Sequence, residues 1–118
     1  MKHQIKRKKL NLKESHRRAL LRNQAIMLIM HGHLTTTKAH VKELRRFVEK
    51  LITLARTGND FNVRRAAKAV LPYKQDALDR LFTDIAPRYV NRPGGYTRII
   101  PLGRRMNDTA EIARIEWV

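Results

Sequence analysis

Cysteine is absent from the 118-residue chain, which excludes a disulfide scaffold, a thiol nucleophile and a thiolate metal site. Five Gly and four Pro are too few for a collagen-like or linker-dominated chain. Ser15 is the lone serine, against a Ser-rich transit peptide. Long apolar runs are missing too. The longest covers residues 25–30, whereas a membrane span needs about 20 residues. The basic start, residues 1–9, resembles the charged region of a signal peptide. The segment behind it is broken by Arg22, Asn23 and Gln24, and no small-residue cleavage site follows. An unprocessed, soluble, intracellular protein is expected.

Acid is scarce as well. Asp and Glu number 10 against 26 Lys and Arg, a net charge of +16 with His neutral. Self-repulsion on so small a body opposes folding, which points to a polyanionic partner. Apolar residues make up 42% of the chain, enough for one domain with a real core and too many for a wholly disordered basic tail. The charge is uneven. Residues 1–22 carry +8, residues 23–84 carry +5 and residues 85–118 carry +3. We therefore expect a basic N-terminal arm over residues 1–14, ordered on RNA, and a single domain over residues 15–118.

Periodicity orders the rest. Ser15 is the expected N-cap of a first helix whose apolar stripe is Leu21, Ala25 and Leu28, broadened by Leu20, Met27 and Ile29, with Gly32 as left-handed C-cap. A short strand is expected over residues 34–36. Thr37 then caps a second helix with Val41, Leu44, Val48, Leu51, Ile52 and Ala55 on one face, ended by Gly58. A third helix carries Val63, Ala66, Ala67 and Val70 behind Asn59 or Asp60, and Pro72 closes it. A fourth covers about residues 74–85, its regular part ended by Pro87. Residues 96–102 and the alternation Ala113, Ile115, Trp117 read as two strands joined by a basic hairpin loop. A lone hairpin is marginal, so the Thr-rich strand is expected to join it. The result is an α+β fold in two layers: helix, strand, three helices, two strands, with a small mixed three-stranded sheet.

Catalytic chemistry finds no foothold. Asp76 and Asp79 complement a helix dipole, Glu43 and Glu49 lie beside Arg45, Arg46 and Lys50, and no nucleophile, base and orienter assemble. His31, His33 and His40 lack Cys or nearby carboxylates to complete a zinc set. No catalytic residue, metal ligand or cofactor is expected.

Phosphate recognition is the strong reading. Lys6, Arg7, Lys8 and Lys9 are consecutive in the arm. His16, Arg17, Arg18 and Arg22 crowd the first turns of a helix, where cations oppose the dipole and an anion relieves them. The polar face of the second helix sets Lys38, Lys42, Arg45, Arg46, Lys50 and Arg56 against two glutamates; water or nucleic acid satisfies the remainder. Thr36 and Thr37 offer hydroxyls at a helix start. In residues 92–98, Arg92 and Arg98 flank the paired Gly94 and Gly95, which let a backbone approach phosphates closely. Tyr96 either stacks on a base or fills the core. Arg104 and Arg105 sit at a hairpin tip. Cations spread over an arm, two helices, a turn and a hairpin suit a folded RNA better than the groove-reading helix of a DNA-binding dimer. The alternatives are a basic DNA-binding protein, a nucleic-acid enzyme and a membrane-surface binder.

Several blocks resemble one family. They are residues 1–3, Asn11-Leu12, residues 15–17, Arg22-Asn23, Thr36-Thr37, residues 42–46 and 51–55, Pro87-Arg88, residues 94–99 and residues 112–117. In this order they resemble the seventeenth protein of the bacterial large ribosomal subunit, nearly end to end and most weakly over residues 59–75. The resemblance implies a structural, non-enzymatic role in translation, holding large-subunit rRNA near the peptide tunnel exit, in the ribosome of the cytoplasm. The implied partners are that rRNA and neighbouring large-subunit ribosomal proteins, with no membrane, no small-molecule substrate and no obligate homo-oligomer. It adds Lys2 and His3 to the rRNA-facing or rRNA-positioning residues, beside His16, Arg17, Arg22, Thr36, Thr37, Gly94, Gly95, Tyr96 and Arg98. Where the family often has Gly ahead of the Asp of its hairpin, this chain has Asn107 before Asp108, and Asn tolerates a positive φ.

Overall fold

A computed structural model describes residue 10, residues 12–72 and residues 74–118. Helix α1 (Glu14–His31) leads into strand β1 (His33–Thr37) and helix α2 (Lys38–Ala55), followed by α3 (Phe61–Val70) and α4 (Gln75–Arg80). Strands β2 (Thr97–Arg104) and β3 (Glu111–Trp117) complete the chain. The helices pack on one face of the sheet, and this is the expected two-layer α+β architecture.

The strand order is β1-β3-β2, and both pairings are antiparallel. The Thr-rich strand does join the hairpin, but the sheet is antiparallel throughout rather than mixed. The reason is topological: β3 returns from a tight hairpin and lies in the centre, opposite in direction to both neighbours. Leu34 and Ile99 flank Ile115, and Thr36 and Pro101 flank Ala113. Those rows and Trp117 face the helices. The register slips between Pro101 and Gly103, a bulge that accommodates a proline unable to donate to the ladder.

Helix ends follow local chemistry. Gly32 adopts φ 85°, and its N–H bonds to Leu28 O at 2.8 Å, the left-handed stop that glycine adopts without a Cβ penalty. Asp60 caps α3 by accepting from Val63 N at 2.9 Å. Ser15 is not a cap: the helix starts two residues earlier than such a cap requires, at Glu14, with Lys13 at the cap position and Arg17 N bonding to Lys13 O. After Arg80 the fourth helix widens into a π-helical turn (Leu81–Ile85) and tightens into a 3-10 turn (Ala86–Tyr89). Pro87 forces this change, because its ring excludes the ordinary hydrogen bond to the carbonyl four residues back.

One core joins both layers. All six apolar positions predicted for α2 are buried, as are Leu78, Leu81, Phe82 and Ile85 and the alternating Ala113, Ile115 and Trp117. Met27 is 47% exposed, so it lies outside the stripe proposed for α1. The Trp117 indole donates to Leu28 O at 3.3 Å, and the Tyr89 hydroxyl donates to Val118 O at 2.9 Å. The last two residues are thus held against the helix layer.

Candidate nucleic-acid interface

Two matched helix faces form a basic cleft. Positions 14, 17, 18 and 21 share one face of α1; positions 43, 46, 47 and 50 share one face of α2, at the same i, i+3, i+4, i+7 spacing. Together they line a cavity of about 260 Å³. Arg17, Arg18, Arg46 and Lys50 face it against two carboxylates, Glu14 and Glu43. Glu14 is bound by Arg18 at 2.9 Å. Neither Arg17 nor Lys50 has an ion-pair partner among the described residues. The start of α1 adds its own unsatisfied N–H groups, so the mouth of this cleft favours an anion. His16 is exposed and Arg22 is half-buried farther along α1. Sequence reasoning left Arg46 and Lys50 on a face that water alone could satisfy. The signal that would have found them is the spacing repeated on both helices: they join the expected Arg17 and Arg18 once α1 and α2 are laid side by side.

The other expected residues are dispersed. Thr36 pairs with Ala113 and so points toward the helices, while Thr37 pairs with Ile112 on the opposite face. The Thr37 hydroxyl is engaged by His40 Nδ1. The two threonines therefore do not present hydroxyls to one surface. Arg92 is exposed, and its carbonyl accepts from the Arg56 guanidinium, tying the turn to the end of α2. Gly95 adopts φ 65° and Gly94 does not need a positive φ. A Cβ at either would meet nothing within 4 Å, so the turn is open to a close-lying backbone on its outer side.

Of the two readings of Tyr96, the structure takes the core. It is fully buried, its ring 5.3 Å from Tyr89 and its hydroxyl 3.2 Å from that of Thr53. A ring with no accessible face cannot stack on a base. Its effect on an RNA surface runs through position: Tyr96 anchors the end of the Gly94-Gly95 turn in the core. Burial pushes the Tyr89 phenol above its ordinary range, since it disfavours the phenolate, against the lowering effect of Arg88.

The sheet's outer face carries Arg98, bound to Glu116 at 2.9 Å, with Arg114 3.4 Å from the same carboxylate. At the hairpin, Arg104 lies 3.5 Å from Glu111, and Arg105 bonds Asp108 at 2.7 Å and 3.1 Å. These cations are exposed but partly neutralised. The left-handed residue of the hairpin is Thr109 (φ 54°) rather than Asn107. Asp108 imposes this by accepting from Ala110 N and Arg105 together, which turns the chain at the next residue. The Arg105 hydrogen bond holds the Asp108 carboxyl below its ordinary range. A depressed carboxylate pKa stabilises the folded hairpin above the usual Asp range, and that contribution disappears as pH falls through the folded value. In an NMR titration, Asp108 should show a midpoint below 3.8, the ordinary value. Arg105→Ala should move it up; an unmoved midpoint would remove Arg105 as the cause.

Lys2, His3, Lys6, Arg7, Lys8 and Lys9 lie outside the described residues. Among the described residues no three His, Asp or Glu side chains form a group able to hold a metal ion, and no helix is long and apolar enough to cross a membrane. Among the described residues the expected cations thus occupy three separate places: the α1–α2 cleft, the paired-glycine turn, and the outer sheet face with its hairpin.

Residues 20–118 match the family model described as ribosomal protein L17. Among similar proteins, the large ribosomal subunit protein bL17 of Akkermansia muciniphila is 53% identical over all of this chain and 85% of its own length. That of Gemmatimonas aurantiaca is 49% identical over all of this chain and 98% of its own. That of Borrelia hermsii is 45% identical over all of this chain and 94% of its own.

Proposed function

The chain belongs to the ribosomal protein L17 family, and from this premise we propose that it binds and organises large-subunit rRNA near the peptide tunnel exit. The coarser role follows from membership: it is a structural, non-enzymatic constituent of the large ribosomal subunit, located in the ribosome and serving translation. The observation that best supports the rRNA reading is the cleft between α1 and α2, where Arg17 and Lys50 face the opening without ion-pair partners among the described residues. Water solvates cations of this kind, and a polyanion that replaces the water gains further by releasing its own counterions. Arg18, Arg22 and His16 extend the same surface, and the arm residues Lys2, His3, Lys6, Arg7, Lys8 and Lys9 add charge for the same polyanion. Arg92, Gly94, Gly95, Arg98, Arg104 and Arg105 make a second set, with the hairpin arginines released from their carboxylates as phosphates approach. The body of the protein holds these groups where rRNA segments meet, and neighbouring ribosomal proteins close the assembly.

A cell lysate resolved on a sucrose gradient tests the assignment. The chain should travel with the large subunit and stay through a moderate salt wash. Chemical probing of subunits assembled without it should then show rRNA around the tunnel exit gaining reactivity. Sedimentation at the top of the gradient, or in DNA-bound fractions, would overturn the ribosomal reading; unchanged reactivity at the exit would overturn the placement.

A further inference from the structure

Phe61 opens α3 and is 77% exposed. A large aromatic so placed contributes little to the core. The helix behind it reads Phe-Asn-Val-Arg-Arg-Ala-Ala-Lys-Ala-Val and contains no carboxylate. The Arg65 guanidinium lies 5.7 Å from the centre of the Phe61 ring, and that of Arg64 lies 5.1 Å from the centre of Phe82. Phe61, Arg64, Arg65, Lys68, Gln75 and Leu78 line a shallow cavity of about 330 Å³.

Charges around this cavity are lopsided. Asp60 is spent on the helix cap, accepting from Val63 N. Asp79 is taken by Arg64 at 2.6 Å and by Gln75 at 3.2 Å. Arg65 and Lys68 have no ion-pair partner among the described residues. An apolar ring, a planar guanidinium beside it and a free ammonium one turn along form the elements of a single-stranded nucleic-acid contact: a π-face for the base and cations for its flanking phosphates.

We propose that α3 is a second RNA contact, in which an unstacked nucleobase lies on Phe61 and Arg65 and the adjoining phosphate meets Lys68. The proposal rests on the rRNA-binding reading above and adds a surface that it does not use. A single-stranded segment is the fitting ligand because a paired base has no free face to offer. An acidic protein surface would use Arg65 and Lys68 but gain less from the ring.

The test uses the full chain and a fluorescently labelled oligouridylate of about 12 nucleotides, within the span a single-strand site covers, with affinity followed by anisotropy across a range of salt. Phe61→Ala should weaken binding by roughly 5- to 100-fold, the range for removing one base–aromatic stack, with the salt slope unchanged because the ring neutralises no phosphate. Phe61→Tyr should restore affinity, and Phe61→Leu should not. Lys68→Gln should instead flatten the slope by about 0.7, the contribution of one phosphate on a single strand. The exposure of Phe61 keeps these variants folded, and unchanged thermal melting confirms it. Equal affinity of Phe61→Ala and the parent would overturn the proposal, as would restoration by Phe61→Leu. Arg17→Ala separates the two readings: if it weakens binding while Phe61→Ala does not, the α1–α2 surface stands and the α3 contact falls. If Phe61→Ala matters only for cross-linking to a neighbouring protein in assembled subunits, α3 is a protein contact and the proposal fails.

Discussion

Tyr96→Ala should cost about 3–5 kcal/mol of folding stability, the range for deleting a fully buried aromatic ring. Set against total stabilities of about 5–15 kcal/mol, this leaves the domain marginal or unfolded. The ring is closed in by Tyr89, its hydroxyl meets Thr53, and its backbone carbonyl accepts from Val118 N at 3.0 Å. Tyr89 in turn lies 6.5 Å from Trp117 and holds the carbonyl of Val118. One deletion therefore loosens the 3-10 turn, the start of β2 and the end of β3 together. Urea denaturation measures the destabilisation directly.

Two milder variants separate structure from recognition. Tyr96→Phe keeps the packing and removes the hydrogen bond to Thr53, at a cost of about 1 kcal/mol. Tyr96→Leu keeps an apolar side chain in the core but cannot stack on a base. Both should bind RNA like the parent wherever they are folded. A folded Tyr96→Leu chain with RNA affinity lowered about tenfold, the order of one base–aromatic stack, would show that the ring reaches the nucleic acid and that the turn opens on binding. That result would reverse the assignment of Tyr96 to the core.

Position 96 also marks the limit of what was legible in the sequence. Composition leaves a tyrosine beside two glycines and two arginines equally suited to a base or to a core. Only long-range neighbours decide it, and Thr53 and Tyr89 come from elements far apart in the chain. Patterns with their own period were plain: the apolar face of α2, the alternation in β3 and the glycine stop at Gly32 all stand as read. The sheet's membership was also legible, because a two-stranded hairpin is too weak alone. The direction of its pairing was not, since that depends on the path between elements. Thr36 and Thr37 looked like one hydroxyl patch in sequence, yet strand geometry sends neighbours to opposite faces. The cations were visible as a set, but not which of them carboxylates neutralise. Arg98 and Glu116 pair only because β2 and β3 are in register, whereas Arg17 and Lys50 have no such partner among the described residues.

That difference yields the second large effect. The α1–α2 cleft holds four cations and two carboxylates. Replacing Arg17 and Lys50 by Ala in one chain leaves Arg18 and Arg46 facing Glu14 and Glu43, with no net positive charge. Each phosphate left without its cation should flatten the slope of log affinity against log salt by roughly 0.7–0.9. Two such phosphates should therefore weaken rRNA binding by roughly tenfold or more at physiological salt, and by less as salt rises, because counterion release is then worth less. Both residues lie at the cleft surface, so thermal stability should hold or improve as repulsion falls. Arg88→Ala supplies the contrast: Arg88 is bound to Asp84 at 3.0 Å, a carboxylate it shares with Arg80 at 3.7 Å, and its removal subtracts an exposed ion pair worth little to stability and a cation already partly neutralised. If Arg88→Ala changes the salt slope half as much as the double variant, in proportion to the charge removed, only total charge matters and the cleft has no special place in binding. If the double variant alone flattens it, local charge imbalance, rather than net charge, selects where the RNA lies.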